Sequence, residues 1–470
     1  MMKRVFISLV ILVGFSAWGF AKDYKENFSL AGYLKQETSV GLDTFNEVTK
    51  FKNILSLSGE YKISEELTFF ASVKGWYDAV YDWYAKYDSA QDQMGHVQRT
   101  DWLRDCYLDY ISGPWFLRLG KQQVAWGQAD GIPVLDRVNP FDLTEYWLPD
   151  MVDIRIPLWM LNINYSPKLN SNLQILIIPD FEQSTAAPPD APFAFRSYKL
   201  FKAFKEGWEG PGVFQGLPKA LRGSLITNIY YPAKQFKNSK FGLQWKDMIG
   251  DLTYTLNYLY GYDYAAKTYL DSQTPPPITF NYSRRFKIVQ MVGGSINRTF
   301  TNPGLLQGIT LRGDFAVYLN EPTYYGDPTR GSSAGVNRWD NVFWLIGLDK
   351  YLVTNFLVSF QFAQYIMQDA KPGVGTYKTL NAYTYGPQDQ VENIFSLKLA
   401  TDFLHERLKT EVLWSFTDDN QGRVSPKATY ELKDNLYFTV GIHYFYGNEQ
   451  DSNGQFRDSS QFYTQIKYTF

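Results

Sequence analysis

Cysteine is almost absent from this sequence, in which Cys106 is the single representative among 470 residues. A disulfide bond within the chain is therefore excluded, and so are covalently attached haem and metal sites built from several thiolates. The three histidines, His96, His405 and His443, lie far apart without metal-ligand spacing. We therefore expect no metal ion and no other cofactor.

Long apolar runs and a strong excess of one charge are also lacking. Beyond the N-terminal stretch no segment has eighteen consecutive apolar residues, which excludes helical membrane spans. The formal net charge is −2, so charge indicates no nucleic acid partner. The sequence contains no G-x-S-x-G, no H-E-x-x-H, no phosphate loop and no Rossmann fingerprint. We expect no enzymatic activity and no catalytic residues.

Aromatic residues, by contrast, are abundant. The chain has 35 Tyr, 34 Phe and 13 Trp, although its mean hydropathy is only −0.31. A polar average with many aromatics is typical of a membrane barrel wall, in which lipid-facing apolar residues alternate with wet lumen residues and aromatic girdles mark both interfaces. A large soluble β-protein has a similar average, so the pattern along the chain has to decide.

The N-terminus has the pattern of a secretory signal peptide. Lys3 and Arg4 form a positive n-region, residues 5–15 form an apolar h-region too short to span a membrane, and Gly19 and Ala21 form a small-residue cleavage site. An uncleaved inner-membrane anchor is the alternative, which the short apolar run disfavours. We expect residues 1–21 to be the signal peptide and residues 22–470 to be a single barrel domain.

The C-terminal residues read as a two-faced strand. Phe462, Thr464, Ile466, Tyr468 and Phe470 lie on one face, and mostly polar residues lie between them. An aromatic residue at the end of such a strand resembles the C-terminal signature of outer-membrane barrels, which their assembly machinery reads. We therefore expect Phe462, Ile466, Tyr468 and Phe470 to form an assembly signal.

The same period-two alternation recurs along the chain. It predicts eighteen strands, with sixteen as the alternative, in an all-β fold: a transmembrane antiparallel up-and-down β-barrel. Pro426 predicts a bulge or a strand start, because proline has no N–H for the ladder. Links such as 63–65 are short, whereas others are long: 79–101, 124–158, 180–239 and 321–341. Short turns define the periplasmic rim in such barrels, so both termini of the mature chain are expected to be periplasmic.

Charged residues occur on the polar faces of the predicted strands. A charge on the lipid face near the bilayer midplane costs roughly 2–4 kcal/mol, so these side chains are expected in the lumen. Two interpretations stay open, a charged channel lining and cross-strand ion pairs that only solvate the lumen. The candidate lumen charges are Lys74, Asp105, Asp109, Arg312, Asp314, Lys398 and Asp402.

The loop at residues 124–158 is the strongest candidate for a functional element. Glycines and prolines punctuate it as a structured loop, and it is rich in carboxylates and tryptophan. It either folds into the lumen as a constriction or packs outside on neighbouring loops. Its excess of carboxylates suggests a mild preference for cations. The candidate constriction residues are Lys121, Asp130, Asp136, Arg137, Asn139, Asp142 and Glu145.

A run at residues 120–142 resembles the hallmark of a family of outer-membrane barrels, catalogued as domain of unknown function 1302. Its residues are Gly120-Lys121-Gln122, Val124, Trp126-Gly127, Asp136, Asn139-Pro140 and Asp142, within about a twentieth of the chain. The resemblance implies a porin-like envelope protein that works beside exporters of lipids or hydrophobic compounds. It supplies no catalytic residues.

Three functional hypotheses remain. The first is an outer-membrane channel for small solutes, in contact with lipid, lipopolysaccharide and the barrel assembly machinery. The second is a barrel component of an export or lipid-transport system, or a sheath around a periplasmic electron carrier, which requires a periplasmic partner. The third, a barrel hydrolase, is disfavoured because only His443 is predicted to lie inside the wall.

Overall fold

The computed structural model describes residues 27–43, 45, 47–95, 102–209, 225–274, 279–327, 332–367, 378–380 and 389–470. The expected signal peptide at residues 1–21 lies outside this part of the chain. Cleavage after Ala21 therefore stays a prediction.

Eighteen antiparallel strands form one closed sheet. Each strand pairs with its neighbours in sequence, and the first also pairs with the last, so the sheet has no free edge to expose to lipid. The eighteen-stranded up-and-down barrel is confirmed, and the alternative count of sixteen is wrong. In chain order the strands are β1 (Phe28–Gly41), β2 (Val48–Lys62), β3 (Leu67–Asp78), β4 (Leu103–Ser112), β5 (Trp115–Gln122), β6 (Leu158–Lys168), β7 (Ser171–Ile178), β8 (Lys240–Ile249), β9 (Leu252–Tyr262), β10 (Ile288–Thr299), β11 (Ile309–Asp327), β12 (Ser332–Val353), β13 (Phe356–Ile366), β14 (Val391–Phe403), β15 (Leu408–Thr417), β16 (Gly422–Lys433), β17 (Leu436–Tyr446) and β18 (Gln461–Thr469).

The barrel closes where β1 meets β18. Their register runs from Tyr33 opposite Thr469 to Gly41 opposite Gln461. Beyond β18, the Phe470 carbonyl accepts the Gly32 N–H at 2.8 Å, and the Gly32 carbonyl accepts the Phe470 N–H at 3.0 Å. The expected assembly residues therefore lie at the closure, and their reading by the assembly machinery stays a prediction.

The wall has an apolar outer face, as the alternation predicts. Large apolar side chains at alternate positions are exposed on the outside, among them Leu243, Leu256, Phe315, Ile346 and Trp414. The residues between them point inward. An outward apolar band around a closed sheet is what a bilayer requires.

The two rims of the barrel differ in the length of their connections. Short turns such as residues 113–114 and 434–435 lie at the rim that also carries the start of β1 and the end of β18. The long connections 79–102, 123–157 and 179–239 lie at the opposite rim.

Two details of the predicted strands are wrong. In the expected long loop at residues 321–341, residues 321–327 and 332–341 instead continue β11 and β12, with Glu321 paired to Trp339 and Tyr324 to Val336. Pro426 starts neither a bulge nor a strand. It lies inside β16 opposite Val412, and the ladder from β16 to β17 omits it but resumes in the same register.

The long connections contain further elements in addition to the eighteen barrel strands. Helical segments are Val80–Trp83, Ala85–Ala90, Gln91–Gly95, Met151–Ile154, Arg196–Glu209, Phe236–Asn238 and Gly454–Ser459. Additional strands are Asp142–Leu143 with Thr185–Ala186, Leu225–Tyr230 with Phe280–Arg285 and Lys267–Gln273, and Lys378–Leu380 beside β11. Within the described ranges, no helix combines the length and hydropathy that a membrane span needs.

Two apolar clusters pack around the folded loops. The first joins Val134, Leu135 and Val138 of the 124–158 loop to inward side chains of β6–β13, including Met291 and Leu345. The second joins Phe141 and Ile154 of the same loop to residues of the other long connections, including Phe195 and Phe456. The 124–158 loop therefore belongs to both clusters.

Candidate pore lining and in-folded loop

A cavity of about 930 Å³ lies inside the barrel. Its wall comes from inward side chains of β1–β5 and β13–β18, and the 124–158 loop forms the opposite side. The cavity is therefore large enough to hold many water molecules. The barrel interior is thus divided between an apolar packed part and a polar cavity.

The first half of the loop, residues 124–140, is called the inner segment below. The Asp314 carboxylate on β11 accepts the backbone N–H groups of Gln128 at 2.9 Å and Ala129 at 2.9 Å. The Gln361 side chain on β13 accepts the Asp130 N–H at 2.9 Å and donates to the Asp130 carbonyl at 3.0 Å. These bonds hold the inner segment against inward-facing side chains of the wall.

Glycine is required where the inner segment meets Asp314. Gly127 has φ +99°, which disfavours any residue with a Cβ, and a Cβ built there would lie 2.7 Å from Asp314 Oδ2. The preceding Trp126 donates from Nε1 to the Gln174 side chain on β7 at 2.8 Å. The Trp126-Gly127 pair of the family-like run therefore fixes the backbone against the wall.

Asn139 ties together the two ends of the inner segment and the chain beyond it. Its Oδ1 accepts the Val124 N–H at 2.8 Å, and its Nδ2 donates to the Ile156 carbonyl at 2.9 Å. Asn139 is almost fully buried, and so is Gln122, whose amide donates to the Met160 carbonyl at 3.2 Å. These family-like residues act as internal braces of the loop and do not face the cavity.

The second half of the loop, residues 141–155, is called the latch segment below. Its ends are adjacent, since Phe141 and Arg155 form a β-bridge and the Pro140 carbonyl accepts the Ile156 N–H at 2.8 Å. The segment is therefore a closed excursion from the rest of the loop.

Three ion pairs join the latch segment to the barrel wall. Glu145 accepts from Lys50 and, at 2.7 Å, from Lys52, both on β2. Asp153 accepts from Lys74 on β3 at 2.5 Å. All five side chains are largely withdrawn from water, so these contacts are screened less than surface pairs.

Guanidinium groups on other strands bind the backbone of the latch segment. Arg104 on β4 donates to the Arg155 carbonyl at 2.6 Å, and Arg423 on β16 donates to the Trp147 carbonyl at 2.8 Å. The latch segment thus contacts both the early and the late strands of the barrel.

The loop carboxylates differ in their electrostatics. Burial would raise the pKa of Glu145, but Lys50 and Lys52 outweigh it and hold that pKa well below its usual range. Burial likewise opposes the effect of Lys74, which lowers the pKa of Asp153. For Asp136 burial prevails over its partner Arg155, so its pKa is raised.

The candidate constriction residues do not form one charged ring. Asp136 pairs with Arg155 at 2.6 Å, and Glu145 pairs with the β2 lysines. The Arg137 guanidinium lies over the Tyr318 ring, with 5.0 Å to its centroid. Asn139 is an internal brace, as described above.

Of the remaining constriction candidates, Asp130, Asp142 and Lys121 border the cavity. Asp142 accepts from Thr185 at 2.9 Å, and Lys121 donates to the Leu103 carbonyl at 2.6 Å. Among the described residues, nine Lys and Arg and eight Asp and Glu line the cavity. This near balance gives no excess of carboxylates, which was the basis of the expected cation preference.

The candidate lumen charges divide by position. Lys74 and Lys398 border the cavity. Asp314 holds the inner segment, and Arg312 beside it donates to the Gln128 carbonyl at 2.9 Å and pairs with Asp349 at 2.8 Å. These residues link the wall to the loop.

The other candidate lumen charges bond within the wall. Asp109 forms a cross-strand ion pair with Arg118 at 2.7 Å, and Asp105 accepts from the Ser72 hydroxyl at 3.2 Å. The Asp402 carbonyl accepts from the Asn355 side chain at 2.7 Å near the short-turn rim. Both interpretations of the charges therefore occur, on different residues.

Several cavity residues were not among the sequence candidates. Lys50 and Lys52 lie in the first part of β2, where polar residues on both faces conceal the strand pattern. Arg423 and Lys427 lie on β16, and Glu411 lies on β15, all with inward side chains. Once a strand is recognised, the alternate positions that face the lumen identify these residues. No grouping of three or more potential metal ligands occurs among the described residues.

Comparisons with known proteins agree with this architecture. A model of the family described as "Protein of unknown function (DUF1302)" matches residues 34–470. The comparison with curated proteins found no match.

Several solved structures match most of this chain at low identity. OccAB1 of Acinetobacter baumannii is 12% identical, with 97% of this chain and 98% of that chain covered and a TM-score of 0.49. OccD3 (OpdP) of Pseudomonas aeruginosa is 11% identical, with 95% and 91% covered and a TM-score of 0.49. The outer membrane channel DcaP of Acinetobacter baumannii is 9% identical, with 96% and 99% covered and a TM-score of 0.41. At these identities the likeness concerns the fold alone.

Proposed function

This chain belongs to the DUF1302 family of proteins of unknown function, and we propose that it is an outer-membrane channel for small solutes, narrowed by its 124–158 loop. The observation that carries the proposal is the cavity of about 930 Å³ inside a closed barrel, lined by charged side chains of the wall. Such a lining is stable in a barrel only where water reaches it, because an unpaired buried charge is costly.

The 124–158 loop is the proposed constriction. The inner segment occupies one part of the lumen through its bonds to Asp314 and Gln361, and the latch segment crosses toward Lys50, Lys52 and Lys74. A solute passing through the barrel then has to pass the latch segment. In this function the barrel is a passive duct through which solutes diffuse.

The outer membrane is the proposed location, with the short-turn rim and both ends of the mature chain in the periplasm. The closed sheet and its outward apolar band support the membrane assignment, and the difference between the two rims supports the orientation. Protease or label added to intact cells should reach sites in the long loops, such as residue 237, and not the 300–308 turn.

Purified barrel reconstituted in planar bilayers tests the channel directly. We expect discrete single-channel currents in potassium chloride, and swelling of liposomes in small uncharged solutes. A correctly folded barrel, judged by heat-modifiable gel mobility, that gives neither signal would refute the channel.

A role within an export or lipid-transport system, or as a sheath for an electron carrier, is an alternative that requires a periplasmic partner. Its test is co-purification of a stoichiometric periplasmic protein with the barrel, from cells in which the chain carries an affinity tag in a long loop.

A further inference from the structure

The basic residues of the cavity wall are partnered unequally. On β2 and β3, Lys52 and Lys74 lie 2.7 Å and 2.5 Å from latch carboxylates, and Lys50 contacts Glu145 as well. Charge-assisted bonds of this kind have typical lengths of about 2.7–2.9 Å. On this side of the cavity the loop itself supplies the anions.

The opposite wall, on β14–β16, has more cations than anions. Lys398 and Lys427 share one carboxylate, Glu411, at 3.4 Å and 3.2 Å, which is longer than a well-formed charge-assisted bond. Lys398 lies 3.8 Å from Asp130, whose side chain is 56% exposed. These lysines are therefore held loosely.

Arg423 has still less compensation. Within the described part of the chain its one hydrogen bond is to the Trp147 carbonyl at 2.8 Å, and no carboxylate pairs with it. A guanidinium has five N–H donors in a planar fork, so most of its donor capacity is left for water or solute. The side chain borders the cavity.

These residues line up along the barrel. Arg423 and Lys427 are on the same face of β16, four residues apart, which corresponds to about 13 Å along the strand. Lys398 lies on β14 beside them, and β15 contributes Glu411 between them. We call Arg423, Lys427 and Lys398 the basic wall.

We propose that the basic wall is a binding site for small organic carboxylates, which the cavity takes up from one rim and passes along β16. The inference rests on the proposed channel function and names its solute class. A carboxylate forms two parallel bonds with a guanidinium and then exchanges onto the loosely held lysines. The latch carboxylates already pair with the β2 and β3 lysines, whereas on the basic wall Lys398 and Lys427 share Glu411 and Arg423 has no carboxylate partner among the described residues.

Isothermal titration calorimetry of the folded, detergent-purified barrel with succinate tests the site without requiring conduction. We expect saturable binding to the wild type and none of the uncharged succinamide. Arg423→Gln and Lys427→Gln should each weaken binding at least about tenfold, because each variant loses a charge-assisted hydrogen bond to the carboxylate. Lys467→Gln is the matched control, because Lys467 points inward on β18 but does not border the cavity.

Absence of succinate binding by the wild type, or binding within twofold of the wild type in both variants, would overturn the proposal. Should Arg423→Gln fail to fold, Lys427→Gln decides alone, since its side chain is 41% exposed and its loss leaves the wall intact. Single-channel recording of the same preparations separates the two claims. Conduction without succinate binding would refute the carboxylate site but leave the channel function standing. Succinate binding without conduction would refute the channel function but leave the site standing.

Discussion

Gly127 shows how a single residue places the loop. A Cβ at this position meets the Asp314 carboxylate at 2.7 Å, in a backbone conformation with φ +99°. Gly127→Ala should therefore cost about 1–3 kcal/mol of loop docking and raise single-channel conductance. Gly131→Ala is the control, because Gly131 also has positive φ but a Cβ at that position would have nothing within 4 Å. Equal conductance changes in the two variants would contradict the claim that the contact between Gly127 and Asp314 holds the loop in place.

Glu145 gives a pH dependence whose sign follows from its lowered pKa. Lys50 and Lys52 favour the ionised form of Glu145 when the latch segment is docked, so these ion pairs stabilise docking at pH values above the ordinary glutamate pKa of about 4.3. The stabilisation is lost progressively as the pH falls from that value towards the lowered pKa. Conductance should be constant from neutral pH to about pH 5 and rise in more acidic solution.

Glu145→Gln is the companion variant for that measurement. Removing one partner of a buried ion pair costs about 3–5 kcal/mol, so conductance should already be raised at neutral pH. Its further rise in acid should be smaller than that of the wild type. Asp150→Asn, at an exposed position of the same segment, should behave like the wild type. Identical pH profiles for Glu145→Gln and the wild type would exclude Glu145 as the titrating group.

At the scale of the strand, side-chain parity decides the effect of a substitution on β17. Thr439 borders the cavity, so Val440 faces the opposite side of the wall. Val440→Arg should destabilise the barrel by roughly 2–4 kcal/mol if the residue lies near the bilayer midplane, whereas Thr439→Arg should be far milder. Urea titration of the barrel in lipid vesicles measures both. Similar losses at the two positions are incompatible with a lipid-facing Val440.

The strands were largely predictable because each barrel strand has one apolar and one polar face. β17 and β18 show the alternation from end to end, and β18 (Gln461–Thr469) agrees with the predicted C-terminal strand to within one residue at each end. β2 does not, since Lys50 and Lys52 begin a stretch with polar residues on both faces. The extension of β11 and β12 beyond the barrel was missed for a related reason: residues 321–341 contain prolines, glycines and charges that usually mark loops.

The loop's position was left open by its sequence because its anchors are distant in the chain. Asp314 is 186 residues from Gln128, and Gln361 is 231 residues from Asp130. Local pattern gives no register for such contacts. The family-like run at residues 120–142 includes Gln122, Trp126, Gly127 and Asn139, which hold the loop in place. The sequence did not indicate which residues they contact.

At the scale of the whole molecule, the barrel is wide enough to enclose both a folded loop and water. The inner segment and the strands β6–β13 form an apolar core, and the remaining wall keeps the polar cavity. A barrel of this width has to fill its interior with water or with chain. Here it uses both, and the latch segment forms the boundary between them.

The most direct test of this account replaces residues 142–154 by Asn-Gly. Phe141 and Arg155 already form an antiparallel bridge, and a two-residue turn is the ordinary way to join such a pair. The variant lacks Glu145, Asp153 and the rest of the latch between those ends, while the inner segment keeps its bonds to Asp314 and Gln361. Single-channel conductance in planar bilayers should rise clearly above the wild-type value, with heat-modifiable mobility preserved. A folded variant with wild-type conductance would contradict the claim that this loop narrows the channel.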